Sequence, residues 1–135
     1  MEKLKLDVSR LRNALASLRR CFNDYKANTN ATMQEYIEDA CVKRFEFTIE
    51  TSWKIMKKYL KEVYGVQDRE LTINNIFRLM QGYGFIKSWE SWKSYYERRN
   101  EEYSPKNTKE ILNYIGPFLE DVTFLYEKLN FALDK

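Results

Sequence analysis

Two planar polar side chains, those of Arg99 and Asn100, follow aromatic residues at helical spacing. On a helical wheel they fall on the same face as Trp92 and Tyr96. A guanidinium group binds phosphate through paired hydrogen bonds, and aromatic rings stack on bases. The pattern therefore predicts a phosphate- or base-binding group at the end of a helix, with helix capping and interhelical hydrogen bonding as the alternative that needs no ligand.

A second polar group lies in an earlier helical stretch. Arg44 falls within an apolar arc, where a guanidinium requires an acceptor, so we expect either an interhelical ion pair or a functional contact. Glu46 and Glu50 are four residues apart on one face, which permits acid-base or metal chemistry, or solvated pairing with neighbouring lysines. We favour ion pairing, predict no metal site, and assign all three residues to one substrate-binding network with Arg99.

Four cationic residues recur every seven positions along the first helical stretch. Such a basic stripe can contact phosphates or an acidic protein, or its aliphatic stems can cover the edge of the apolar seam beside it. The sequence leaves both interpretations open, and the phosphate interpretation predicts binding that weakens steeply with salt. The stripe consists of Lys5, Arg12, Arg19 and Lys26.

Composition restricts the chemistry further. The chain has 135 residues and no histidine, which excludes Ser-His and Cys-His nucleophilic pairs and every His-containing metal site. Its 23 Lys and Arg against 20 Asp and Glu leave a net charge of +3, too small to indicate nucleic-acid binding without local clustering. Two cysteines without CxxC spacing, charges at the start and no long apolar run predict a reduced, cytoplasmic protein with no membrane span. We expect no cofactor.

Hydrophobic periodicity predicts the helices that position these residues. A heptad pattern over Leu4–Tyr25 predicts the first helix. The second runs from a capping box formed by Thr32 and Glu35 to about Tyr64, where Gly65 ends it. Further helices are predicted over 71–83, over 88–102, and from a cap at Asn107 or Thr108 onwards, the last with a kink at Gly116-Pro117.

The predicted architecture is all-α: an antiparallel up-and-down four-helix bundle with an extra short helix, formed by a single domain over residues 1–135. Brief connections favour antiparallel neighbours. Apolar residues spread over more than half the circumference of the second helix, so we expect this helix also to serve a subunit interface in a homodimer.

The segment DACVKRFEFTIETSWK, residues 39–54, resembles the signature of the nucleotidyltransferase substrate-binding protein family, part of the HEPN superfamily. The resemblance covers nearly the whole chain. It implies a dimeric helical bundle that is encoded beside a minimal nucleotidyltransferase and forms a complex with it, often as a toxin–antitoxin pair. Further matching residues are Tyr59-Leu60, Gly65, Gly84-Phe85-Ile86, Trp92, Arg99-Asn100, Ile111, Tyr114 and Phe118.

In toxic members of that family, the helical protein is a metal-independent ribonuclease. It uses an Arg, a polar residue and a His a few residues further on, often followed by a Tyr that the partner adenylylates. This chain departs from the pattern because it has no histidine. Counting from Arg99, Ser104 stands at the histidine position; counting from Arg98, which the wheel turns outward, Tyr103 does. Neither hydroxyl replaces imidazole near neutral pH.

The resemblance and its departure together favour a non-catalytic, substrate-binding partner of a minimal nucleotidyltransferase. Nucleotide or substrate would bind in a cleft near Trp92, Tyr96, Arg99 and Asn100. The alternative is a diverged ribonuclease toxin that acts on RNA through Arg99 and Asn100. Nucleotide binding without a protein partner is a third possibility, and Tyr103 is a candidate for adenylylation.

Overall fold

The computed structural model describes the backbone of residues 2–100 and 105–134, and the side chains of 8–100 and 107–134. The fold is all-α, with no strand among these residues. Three helices are long and two are short, and a 3-10 turn lies at Asp68–Glu70. The fourth helix, predicted over 88–102, ends at Arg99. The helices are α1 (Glu2–Ala27), α2 (Ala31–Tyr64), α3 (Ile73–Gly82), α4 (Trp89–Arg99) and α5 (Pro105–Leu133).

The turn between α1 and α2 is closed by asparagine side chains. Asn30 is the N-cap of α2, and its Oδ1 accepts a hydrogen bond of 2.9 Å from the backbone N–H of Thr32. The predicted capping box that begins at Thr32 is therefore wrong: Asn30 is the N-cap, α2 begins at Ala31, and Thr32 is already inside the helix. At the other end the prediction is confirmed: Gly65 has φ 67°, in the left-handed region that favours glycine.

The short helices and α5 begin at residues suited to a helix N-terminus. Thr72 caps α3 and Ser88 caps α4, each through its side-chain oxygen. The prediction that Asn107 or Thr108 caps the last helix is wrong, since α5 begins at Pro105, whose fixed φ and missing N–H suit the first helical position. The helix then continues through Pro117.

Side chains from all five helices form one hydrophobic core. Its largest member is Trp92, which is 1% exposed and has ring contacts with Phe77, Tyr95 and Phe118 at centroid distances of 5.7 to 5.9 Å. Buried aromatic rings of this size contribute a large share of the apolar area removed from water. The short helix α4 is therefore held in place mainly from its core side.

Contacts between helices show that α2 lies between α1 and α4. On the α1 side, Cys41 is next to Cys21 and Thr48 reaches the carbonyl of Ala14, so residue numbers fall along α1 as they rise along α2. The two helices are therefore antiparallel. The contacts of α2 with α4 include the pair formed by Glu50 and Arg99. No helix in the described part of the chain has the length and apolarity needed to cross a bilayer.

Candidate functional site

An ion pair between α2 and α4 is the centre of the candidate site. The Nε atom of Arg99 lies 2.8 Å from Oε2 of Glu50, and the two side chains are 32% and 27% exposed. The Nε atom is shielded from solvent, but its N–H does not point at an acceptor with the geometry of a hydrogen bond. The contact is thus an electrostatic pair between two half-buried charges, which water screens less than it screens a fully exposed pair.

Further polar and aromatic groups complete the arrangement. Arg99 Nη1 donates a hydrogen bond of 2.8 Å to Oδ1 of Asn100, and Trp53 Nε1 donates one of 3.1 Å to Oε2 of Glu50. Trp53 also contacts Tyr96 edge to face, with ring centroids 6.3 Å apart. Together with Glu46 these groups form what we call the α2–α4 cluster. Its members are Glu46, Glu50, Trp53, Tyr96, Arg99 and Asn100.

The two glutamates have different surroundings. Partial burial raises the pKa of Glu46, and the nearby positive charges of Arg99 and Lys43 lower it in part. Glu50 instead pairs with Arg99 and, at 3.4 Å, with the exposed Lys54. The ion-pairing interpretation of this face is therefore confirmed for Glu50, while Glu46 is a partly desolvated carboxyl beside a guanidinium.

Trp92 does not belong to the cluster. The prediction that it lines a cleft is wrong, because its ring lies inside the core and is almost fully shielded from solvent. Tyr96, one helical turn after Trp92, is half-buried and contacts Trp53 on α2. The neighbouring Tyr95 faces α5 instead, and its hydroxyl donates to Oδ2 of Asp121. Burial and this carboxylate raise the pKa of Tyr95, so it stays protonated.

Arg44 is also outside the cluster, on the opposite flank of α2. Its Nε donates to Oγ of Ser17 at 2.9 Å, and its Nη1 lies 3.5 Å from the sulfur of Cys21. The expected interhelical ion pair is wrong: no carboxylate pairs with Arg44 among the described residues. The side chain is exposed, so water and two neutral acceptors are sufficient for its charge.

Arg98 and Arg99 leave α4 in different directions. The prediction that Arg98 points outward is wrong, because its side chain is 27% exposed and its Nη1 lies 2.6 Å from Oε2 of Glu110 on α5. The same guanidinium lies over the ring of Tyr114, 5.0 Å from its centroid. Consecutive arginines therefore connect α4 to α5 and to α2.

The basic stripe of α1 is partly engaged within the chain. Arg12, Arg19 and Lys26 are exposed, whereas the side chain of Lys5 is outside the described residues. Arg19 Nη2 donates to Oγ1 of Thr123 at 2.8 Å, and Lys26 Nζ lies 5.0 Å from the ring centroid of Phe22. These two contacts support the interpretation that the aliphatic parts of the stripe residues cover the edge of the apolar seam of α1.

Two residues named from the sequence, Tyr103 and Ser104, lie outside the described residues. One member of the cluster, Trp53, has a role that sequence reasoning missed. It stands three residues after Glu50, a spacing that places two side chains together on one helical face, and this was the available signal.

Comparison with known proteins supplies a family. Residues 6–131 match the family described as "Nucleotidyltransferase substrate binding protein like". Comparison with curated proteins finds no match.

Two solved structures share the fold. A Haemophilus influenzae structure, described as the fold of a substrate binding domain of a nucleotidyltransferase, has 22% sequence identity and a TM-score of 0.81, covering 91% of this chain and 98% of its own. A Thermus thermophilus structure has 19% identity and a TM-score of 0.72, covering 88% of this chain and 98% of its own. The family match takes in every residue of the α2–α4 cluster, and the chain belongs to the nucleotidyltransferase substrate binding protein like family.

Proposed function

We propose that this chain is the substrate-binding partner of a separate minimal nucleotidyltransferase, with the substrate or nucleotide bound at the α2–α4 cluster. Family membership supports the partner. The similar Haemophilus influenzae fold, described as a substrate binding domain, supports the role. The observation that carries the choice of site is the half-buried guanidinium of Arg99, which lies among a carboxylate, an amide and two aromatic rings.

The cluster has the groups needed to hold an anionic ligand. Glu50 lies beside Nε of Arg99, and Asn100 accepts from Nη1. A guanidinium presents further N–H groups in the plane of its fork, in the geometry that suits phosphate and carboxylate oxygens. A phosphate or carboxylate can therefore approach the outer edge of the guanidinium. Trp53 and Tyr96 offer ring edges and faces to a base or another flat group.

Calorimetry with ATP tests the nucleotide part of this proposal, first on the chain alone and then on its complex with the enzyme. Replacing Arg99 with Ala is expected to weaken binding roughly 10- to 100-fold, because a charge-assisted hydrogen bond is lost. Arg69→Ala is the matched control, since it removes an exposed cation outside both the cluster and the basic stripe of α1 and should leave the affinity unchanged. No heat from the wild-type chain in either state, or equal affinities for wild type and Arg99→Ala, would overturn the nucleotide site.

Co-expression tests the partner. The reading frame beside this one should encode a short nucleotidyltransferase, and the two chains should co-elute on gel filtration. If the pair is of the toxin–antitoxin type, expression of one chain alone slows growth and expression of both restores it. Separate elution of the two purified chains at micromolar concentration would contradict the proposed complex.

The ribonuclease alternative makes a distinct prediction. Purified protein would cleave a labelled RNA in the presence of EDTA, and cleavage would be lost in Arg99→Ala. We expect no such cleavage, since the chain has no histidine to move a proton near neutral pH. Cleavage that depends on Arg99 would replace the binding function with an enzymatic one.

We also propose that two copies of the chain associate through α2. Tyr36 and Phe47 on this helix are 69% and 59% exposed, which is unusual for large aromatic residues on one surface. Sedimentation equilibrium should give twice the monomer mass, and Phe47→Asp should shift it towards the monomer. A monomer mass for the wild type would contradict the dimer.

A further inference from the structure

Two buried thiols face each other across α1 and α2, away from the α2–α4 cluster. The sulfur atoms of Cys21 and Cys41 are 3.1 Å apart, and both cysteines are free. A disulfide bond is about 2.0 Å long, so the sulfurs need to approach by only about 1 Å to be bonded. The contact lies within one chain, between helices that are already packed together.

The two sulfurs differ in access. Cys41 is fully buried, while Cys21 lines an open groove of about 580 Å³ between α1 and α2. Arg44 lines the same groove, and its Nη1 lies 3.5 Å from the Cys21 sulfur. A small oxidant in the groove therefore reaches Cys21 first, and association of two copies through Tyr36, which lines the same groove, would slow this step.

The two thiols also differ in charge environment. The guanidinium of Arg44 lies 3.5 Å from the Cys21 sulfur, where it can hold an oxygen atom of the peroxide beside that sulfur and stabilise the hydroxide that leaves. Burial raises the pKa of Cys41, which keeps its proton. Asp24 also lies near the pair, and at Cys41 its carboxylate acts against Arg44 with the smallest effect of those present. The nearby Arg20 adds positive charge to the groove.

We propose that Cys21 and Cys41 are a reversible oxidation site for hydrogen peroxide or a small organic hydroperoxide. With hydrogen peroxide, the Cys21 thiolate attacks one oxygen, the O–O bond breaks, and hydroxide leaves and takes the proton released by Cys21, giving sulfenic acid and water. The sulfur of Cys41 then attacks the Cys21 sulfur and displaces hydroxide, which takes the Cys41 proton as a second water. Two thiols and one hydrogen peroxide become one disulfide and two waters; an organic hydroperoxide gives an alcohol in place of the first water. A dithiol reductant reverses the change by thiol–disulfide exchange.

The bond has a mechanical consequence. It joins residues that are 20 positions apart across the α1–α2 turn, and so restricts the unfolded chain. We expect the oxidised chain to melt roughly 5–10 °C higher than the reduced chain. Oxidation also changes the contact between Arg44 and Cys21, because the sulfur then belongs to a disulfide.

Mass spectrometry of the full-length chain tests the site directly. The reduced, folded protein is treated with hydrogen peroxide, alkylated and digested, with and without later dithiothreitol. The expected product is a peptide pair linking Cys21 to Cys41, lighter by two hydrogen atoms, which dithiothreitol abolishes. Two alkylated cysteines after peroxide, or a linkage only between different chains, would overturn the proposal.

Variants separate the two roles. In Cys41→Ser, Cys21 should accumulate as a sulfenic acid that dimedone traps; in Cys21→Ser, Cys41 should resist both peroxide and alkylation until the chain is unfolded. Arg44→Gln should slow disulfide formation several-fold, whereas Arg12→Gln should not. If either cysteine variant does not fold, the wild-type time course still decides, because the linkage must form faster in the folded chain than in denaturant.

Discussion

The two flanks of α2 each hold an arginine, and the two arginines are satisfied in different ways. On the α4 side, Arg99 is half-buried and pairs with the carboxylate of Glu50. On the α1 side, the exposed Arg44 is bonded to a hydroxyl and contacts a sulfur. The difference shows that a carboxylate is needed where water is partly excluded, and that neutral acceptors are enough where water remains.

The largest effect is expected from the core residue that holds α4 in place. Trp92→Ala should lower the free energy of unfolding by about 3–5 kcal/mol, because it removes a fully buried ring. Urea denaturation followed by circular dichroism measures it, and Trp92→Phe should cost distinctly less. If Trp92→Ala were as stable as wild type, the placement of Trp92 in the core would be wrong.

Breaking the ion pair on the α4 side should have the next largest effect. Glu50→Gln leaves the half-buried Arg99 without its carboxylate and should cost about 1–2 kcal/mol, a value already reduced for partial exposure. A double-mutant cycle with Arg99→Met isolates the pair. Lys54→Met is the matched control, since Lys54 is 62% exposed and also contacts Glu50, and its effect should be under about 0.3 kcal/mol.

The corresponding change on the α1 side should be smaller. Ser17→Ala removes the hydroxyl that accepts from Arg44, and the exposed guanidinium then turns to water. We expect a loss of about 0.5 kcal/mol in thermal or urea unfolding. A loss as large as that of Glu50→Gln would remove the distinction between the two flanks.

The smallest effect concerns pH. Burial raises the pKa of Glu46 above its ordinary value of 4.5. As the pH rises through 4.5, the Glu46 carboxyl therefore ionises in the unfolded chain before it ionises in the folded chain, and this lowers the free energy of unfolding. Glu46→Gln removes this penalty, so it should melt slightly above wild type at pH 7. The difference should shrink as the pH falls below the ordinary pKa. If Glu46→Gln instead melts below wild type at pH 7, the attraction of Glu46 to Arg99 outweighs the burial penalty.

The helices could be predicted from periodicity, but their ends depended on competition between neighbouring residues. Asn30 and Thr32 are both good capping residues within one turn, and only the geometry of the asparagine turn selects Asn30. Asn107 and Thr108 are also good capping residues, but α5 already begins at Pro105. Gly65 had no competitor and was predicted correctly.

One contact between helices of the site was predicted: Glu50 and Arg99 were assigned to one network, and they meet. Trp92 and Arg44 were assigned to it wrongly, because a wheel gives the direction of a side chain without saying which helix lies there. Trp92 faces the core with α5, and Arg44 faces α1. Which helix lies beside each side chain is decided by tertiary packing and cannot be read from spacing along one helix.

The consecutive arginines at the end of α4 make the orientation of this helix measurable. Arg98 is tied to Glu110 on α5 and Arg99 to Glu50 on α2, so a rotation of α4 about its own axis changes both distances at once. A ligand that takes Arg99 from Glu50 removes the tie to α2, whereas the pair of Arg98 with Glu110 and the contact of Tyr95 with Asp121 still hold α4 against α5. The distance between Arg98 and Glu110 would thereby report a turn of α4 when the proposed ligand binds.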